Sequence, residues 1–236
     1  MTSKGKTIYL IDGNSYIYRA YHAVRHLSTS QGLATNATFG FTNMLLKLLS
    51  EHDPEYMAMV FDAKGPTFRH EIYNAYKANR PPMPEDLLVQ IPFIKQLVEA
   101  MNIPSLELPG YEADDIIGTL ARAAEAKGFG VVMVTGDKDF KQLISGSVSM
   151  WDPMKDRTID YASLKADSGL EPAQWVDVMA LAGDTSDNIP GVPGVGEKTA
   201  VDLIRQFGSF GNVFEHVEEI KKKKLKKKSS GISKQC

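Results

Sequence analysis

Apolar residues along this chain follow two spacings. Residues 7–11, 56–61 and 129–134 are short, nearly continuous apolar runs rich in β-prone side chains, and each reads as a buried strand. Between them the apolar positions recur at helical intervals. One such pattern, through Tyr16, Ile17, Ala20 and Tyr21, follows the first strand at once. A second covers 35–50, with Phe39, Phe41, Met44, Leu45, Leu48 and Leu49 as its apolar side, and Asp53-Pro54 stops it. A third covers 85–101, with Leu87, Leu88, Ile91, Ile94, Leu97 and Val98, and Pro92 predicts a bend in it. A fourth, through Ile116, Ile117, Leu120, Ala121 and Ala124, ends at Lys127-Gly128. Residues 103–108 read as a short strand or extended link, and 148–151 with 157–161 as a small hairpin. A helix over 172–182 and another carrying Val201, Leu203, Ile204 and Phe207 complete the pattern. Strand, helix and strand in alternation predict an α/β fold with a mainly parallel sheet.

Composition narrows the class. The length of 236 residues, 43% hydrophobic and 24% charged, suits one large globular domain or a domain with a small appendage. No apolar run approaches the roughly 20 residues that span a membrane, and the first six residues lack the apolar core of a signal peptide. The only cysteine is Cys236, so no internal disulfide forms, and a reducing cytoplasm is expected. The net charge of −2 is unevenly spread: residues 221–236 hold eight lysines and no acid, leaving 19 basic residues against 29 acids, a net of −10, in the rest. The lysine-rich end reads as a solvated tail able to add salt-dependent affinity for DNA.

The acids fall where the pattern gives them meaning. Asp12 and Asp62 close the first two strands, and Asp137 and Asp139 follow the strand at 129–134. Sites in open α/β sheets gather at these carboxyl ends. Glu112, Asp114 and Asp115 occupy the first turn of the helix that follows Pro109-Gly110, with Glu112 and Asp115 on one face. Asp184 and Asp187 stand three apart and share a face if their turn is helical. Nine carboxylates cannot share a crevice without raising one another's pKa values, and divalent cations relieve this. All-oxygen ligation selects Mg²⁺ or Mn²⁺ over Zn²⁺, and two such ions suit phosphodiester hydrolysis. Histidine–zinc chemistry is disfavoured, because only His22 and His26 have helical spacing and no glutamate follows His22.

Two further stretches point to nucleic acid. Residues 63–90 interleave Lys64, Arg69, His70, Lys77 and Arg80 with Phe68, Tyr73 and Tyr76, a composition suited to phosphates and stacked bases. Residues 191–200 run Gly-Val-Pro-Gly-Val-Gly-Glu-Lys-Thr-Ala into an apolar helix. Glu197 between Gly196 and Lys198 rules out a Walker loop. A helix-hairpin-helix gripping a duplex backbone fits better.

Val60-Phe61-Asp62, Tyr76 through Pro84, Gly110 through Asp115, Thr135 through Asp139 and Gly183 through Ala200, in that order, resemble the 5′ nuclease domain of bacterial DNA polymerase I, in the flap endonuclease superfamily. The resemblance runs to about residue 215. It implies a PIN-like, resolvase-like core over 1–170 that includes a helical arch at 63–90, a helix-hairpin-helix region over 171–215 and a lysine-rich tail over 216–236. It implies that Asp12, Asp62, Glu112, Asp114 and Asp115 serve one Mg²⁺, and Asp137, Asp139, Asp184 and Asp187 the other. Lys77 and Arg80 would contact the scissile phosphate. Arg19 and Tyr76 would help place the 5′ end, with Arg69 among the DNA contacts. Gly191, Val192, Gly194, Val195, Gly196 and Lys198 would grip duplex DNA, with a K⁺ at the hairpin.

The implied reaction is cleavage at 5′ flaps and 5′ ends in replication and repair, by a monomer that works with or was once joined to a DNA polymerase. Family members continue with further helices where this chain turns to lysines, which leaves open a stand-alone nuclease, a fragment or a truncated product. The competing readings are a catalytically weak junction-binding protein of the same fold, a PIN-like RNase, and a phosphomonoesterase. The last is opposed by the absence of a paired Asp-x-Asp after the first strand.

Overall fold

A computed structural model describes residues 6–218. Five strands run parallel: β1 (Thr7–Asp12), β2 (Tyr56–Val60), β3 (Ser105–Leu106), β4 (Gly130–Val134) and β5 (Val148–Asp152). The sixth, β6 (Arg157–Ile159), pairs antiparallel with β5 as a hairpin, and the sheet order is β3-β2-β1-β4-β5-β6. The chain leaves β1 toward β2 on one side and returns to β4 on the other. The carboxyl ends of β1 and β4 are therefore the switch point, where a crevice opens between the connecting loops.

Both faces of the sheet are covered, which explains the unbroken apolar runs. Successive residues of β1 point into different cores, because side chains alternate along a strand. Leu10 packs with Val60, Met133, Ile117 of α6 (Ala113–Ala126), and Trp175 and Val178 of α8 (Trp175–Ala182). Ile11 packs with Met59, Val134, Tyr16 and Ile17 of α1 (Gly13–Ala23), and Phe41 and Leu45 of α2 (Asn36–His52).

Three sequence expectations need correction. Phe39 is 52% exposed; α2 instead buries Ala37, Gly40, Phe41, Leu45 and Leu48, and Gly40 lets the helix approach Ala20 of α1. The expected bent helix over 85–101 is two helices, α4 (Glu85–Leu88) and α5 (Ile91–Ala100). Between them Gln90 is fully buried, and its amide donates to Asn36 Oδ1 and the Asp86 carbonyl and accepts from Thr38 N. Pro92 lies in the first turn of α5, where its missing N–H costs nothing. Tyr161 begins a helix, α7 (Tyr161–Ser168), rather than ending the hairpin. The Asp160/Ser163 capping box starts it, and that spacing was visible in the sequence.

The helix-hairpin-helix consists of α8, the turn 191–196, and α9 (Glu197–Phe207), backed by α10 (Phe210–Glu215). Its entry depends on two glycines. Gly183 has φ +69°, and a Cβ there would overlap the backbone N of Gly191 and lie 2.6 Å from the Ile189 carbonyl oxygen. Gly183→Ala is expected to cost about 2–4 kcal/mol from overpacking and left-handed strain. Urea unfolding measures this, and a loss below about 0.5 kcal/mol would mean the two strands of the turn separate freely. The lysine-rich tail expected beyond the hairpin region lies almost wholly outside the described residues.

Candidate active site

Asp12 is the last residue of β1 and the N-cap of α1. Ser15 N donates to its Oδ1 at 2.9 Å, and Thr135 Oγ1 to its Oδ2 at 3.0 Å. Asp62, just past β2, accepts from Ala113 N at 2.7 Å and from Asn14 Nδ2 at 2.9 Å, so the start of α6 is tied to the end of β2. Asp137 caps a 3₁₀ turn, Lys138–Leu143, by accepting from Asp139 N at 2.9 Å. Asp114 projects from the first turn of α6 among these acids and accepts no hydrogen bond among the described residues. Oδ1 of Asp139 is likewise buried without a partner.

This inner group carries excess negative charge. Burial pushes Asp114 up to about 8, with Asp12, Asp137, Asp62 and Glu112 adding repulsion. Asp12 rises to about 6 through burial and the charges of Asp62 and Asp137, despite its hydrogen bonds from Ser15 and Thr135. Asp139 also rises to about 6, through burial with Asp137 and Asp184 nearby.

The outer acids are each matched by a cation. Glu112 caps α6, and Lys77 Nζ donates to its Oε1 at 2.6 Å and Tyr76 OH to its Oε2 at 2.9 Å. Arg69 grips both oxygens of Asp115, at 2.7 and 2.8 Å. Burial raises the Asp115 carboxyl, but Arg69 and the Glu112 N–H outweigh it and hold the group below the ordinary range. Asp184 is drawn down in the same way, against burial, by Lys138 at 3.1 Å and the backbone N–H groups of Ser186 and Asp187. Asp187 pairs with Arg80, and its Oδ2 lies 3.0 Å from the Tyr76 hydroxyl, whose single proton is shared between Asp187 and Glu112. Glu112 and Asp115 share a face, as expected, and Arg69 Nη1 lies within reach of both, 3.6 Å from Glu112 Oε2 and 2.7 Å from Asp115 Oδ2. Asp184 and Asp187 lie in a non-helical turn closed by an Asp184–Ile189 bridge, and they face different cations.

The pairing arises because residues 73–80 lie against 184–188. Lys77 N donates to the Asp187 carbonyl, Asn79 Nδ2 to that of Thr185, Arg80 Nε to that of Ser186, and Asn188 Nδ2 to that of Ala75. Of the expected helical arch at 63–90, only α3 (Phe68–Ile72) and α4 are helical, and 74–79 is a run of turns. Arg19 enters the same cleft of about 410 Å³ as Lys77, Arg80, Asp114, Asp137, Asp139, Asp184 and Asp187.

The hairpin residues stand apart from this cleft. Val192 and Val195 pack partly against the core, and Gly194 and Gly196 are exposed with open space where a Cβ would be. Gly191 is wedged against Ala182. Gly196 caps α9, and Lys198 has no ion-pair partner among the described residues. Lys141 Nζ, 3.4 Å from Glu197, links the turn after Asp137 to the start of α9. Sequence reasoning missed Thr135, Asn14, Lys138 and Asp152 as residues that orient the site. Asn14 sits beside an acid already singled out, and Thr135 and Lys138 lie inside the Thr135–Asp139 motif, but nothing local marks Asp152.

Among the described residues no three acids or histidines are gathered as a ready chelating set. The chemistry of the inner group nevertheless fits divalent cations. Its donors are all carboxylate oxygens, one of them buried and unpartnered, and burial, with repulsion from neighbouring acids, raises three of the carboxyls.

The 5′-3′ exonuclease N-terminal resolvase-like domain family matches residues 7–169, and the 5′-3′ exonuclease C-terminal SAM-fold family matches 170–235. A 5′-3′ exonuclease of Aquifex aeolicus is 44% identical over 217 residues, 92% of this chain and 75% of that protein. A thermostable DNA polymerase I of Thermus thermophilus is 47% identical over 97% of this chain, which spans 27% of the polymerase. Among solved structures, a bacteriophage T5 flap endonuclease complex with DNA and metal ions superposes with a TM-score of 0.72. It is 21% identical and covers 89% of this chain and 78% of its own, a likeness of fold. Both halves of the chain match one family in the expected order, and the chain belongs to the 5′-3′ exonuclease family.

Proposed function

We propose that this chain is a structure-specific 5′ nuclease that hydrolyses DNA phosphodiesters at 5′ flaps and 5′ ends, using two Mg²⁺ ions for which Mn²⁺ can substitute. The observation that carries this reading is the under-compensated group Asp12, Asp114 and Asp139 at the switch point, with Lys77, Arg80 and Arg19 facing the same cleft. Asp12, Asp62, Glu112, Asp114 and Asp115 would hold one ion, and Asp137, Asp139, Asp184 and Asp187 the other. When bound, the ions supply an activated water and stabilise charge on the attacked phosphate. Lys77 and Arg80 bind that phosphate once they release Glu112 and Asp187. Tyr76 and Arg69 orient Glu112 and Asp115. The hairpin 191–196, with Lys198 and a K⁺, holds duplex DNA through exposed backbone. The protein acts as a monomer in the cytoplasm, with or beside a DNA polymerase. No helix of the described residues is long and apolar enough to cross a membrane.

A 5′-labelled flap duplex and a matched blunt duplex, each with Mg²⁺ or with EDTA, test the reading. Mg²⁺-dependent cleavage near the flap junction is the expected result. Junction binding by folded protein without cleavage would instead support the catalytically weak binding protein.

The raised carboxyls also predict a pH dependence. Folded Asp12, Asp114 and Asp139 bind protons that the unfolded chain releases near pH 4, so metal-free stability falls as pH rises. The fall is steepest between about pH 4 and 6, where all three contribute, and continues to about pH 8 on Asp114. Mg²⁺ should therefore raise the melting temperature more at pH 8 than at pH 6. Equal shifts at both would show that these acids do not hold the ions.

A further inference from the structure

Arg19 reaches the carboxylate cleft from α1, and two residues outside the nine acids fix where it lies. Its Nη1 donates to Asp152 Oδ1 at 2.6 Å. Asp152 is the last residue of β5 and only 5% exposed. Its Oδ1 also accepts from Met154 N at 3.1 Å, and Lys155 Nζ lies 3.4 Å from its Oδ2. The carboxylate is thus anchored by a strand end and the hairpin turn after it, a rigid mount of the kind that precise sites require.

The second residue is Gly136. A Cβ at this position would overlap Nη2 of Arg19 and lie 2.6 Å from its Cζ. Gly136 is not among the glycines with positive φ, so the backbone does not demand a glycine there. The missing side chain makes room for the guanidinium. Of the donors on that guanidinium, only Nη1 is used among the described residues, so Nε and Nη2 remain for a ligand. Pairing with Asp152 lowers the net charge Arg19 offers to an anion, so the gain lies in orientation, which a planar fork needs more than a point charge does.

We propose that Asp152 and Gly136 are positioning residues that hold Arg19 with its free edge toward a phosphate of the bound DNA strand. This rests on the nuclease reading above for the identity of the phosphate. A salt bridge that merely fastens α1 to β5 would stabilise the protein without acting through Arg19.

The test is a double-mutant cycle in the full chain, read as single-turnover cleavage and as the dissociation constant of a flap duplex in Ca²⁺. Arg19→Ala, Asp152→Ala and Gly136→Ala are each expected to slow cleavage roughly tenfold or more and to weaken binding. Arg19→Ala combined with Asp152→Ala should be no worse than Arg19→Ala alone. Asp152→Asn keeps an acceptor for Nη1 and should recover most of the rate. Additive losses in the cycle, or wild-type cleavage by folded Gly136→Ala, would overturn the proposal. If the wild-type chain cleaves nothing, the nuclease reading fails separately. The cycle on the dissociation constant then decides the positioning role, coupling supporting it and additivity overturning it.

Discussion

Asp114→Asn is expected to slow flap cleavage by roughly 100-fold or more while making the metal-free protein harder to melt at pH 8. The two effects share one cause. Asp114 is half-buried and accepts no hydrogen bond among the described residues; desolvation, with repulsion from Asp12, Asp137, Asp62 and Glu112, pushes its carboxyl up to about 8. Ionising it without a bound cation works against the fold, and a cation reverses that. Asparagine keeps the shape, removes the charge and leaves a poorer ligand. Each kcal/mol of repulsion relieved should raise the melting temperature by about 2–4 °C in a chain of this size. The gain should shrink at pH 5, where the wild-type group is already protonated. Cleavage at the wild-type rate would remove Asp114 from the catalytic set. A lower melting temperature at pH 8 would mean its charge is compensated in the free protein.

The second large effect is expected at Lys77. Lys77→Ala should reduce cleavage by about 10²–10³-fold, the range for removing a donor aimed at developing charge. The fold should persist, because Glu112 keeps the Tyr76 hydroxyl at 2.9 Å and Arg69 at 3.6 Å, and the loss in stability should stay near 1–3 kcal/mol. The backbone supplies a sharper variant. Lys77 sits at φ +56°, a left-handed conformation that disfavours any side chain. Lys77→Gly removes the cation and relieves that strain, so it should be more stable than Lys77→Ala and as inactive. Activity retained by either, in single-turnover assays with Mg²⁺, would assign the Lys77–Glu112 pair a purely structural part.

Much of this site was legible before any coordinates. Three apolar, β-prone runs with an acid after each read as strands ending at one edge, because parallel strands place their carboxyl ends together. Glu112, Asp114 and Asp115 at the head of an apolar helix likewise announced an acidic first turn, although Glu112 proves to be the N-cap just before it. Local spacing also misled. Phe39 fits the helical stripe of α2 yet faces solvent, since periodicity gives a face without saying how wide its covered part is. The break at 89–90 followed from Gln90 bonding across to α2, a contact 54 positions away at Asn36.

The strands, the order of the acids along the chain and the family they mark could be read from the residues alone, because these depend on short-range spacing and on residue type. Which acids stand uncompensated and which are paired emerges only from the folded chain. Arg69 meets Asp115 across 46 positions, Arg80 meets Asp187 across 107, and Arg19 meets Asp152 across 133. The Arg80 pairing follows from how residues 73–80 dock on 184–188, and the Arg19 pairing from a parallel sheet in which β4 separates β1 from β5 and their carboxyl ends share one edge. The charge balance of a cleft is a sum over neighbours in space, and no local pattern in the sequence carries that sum.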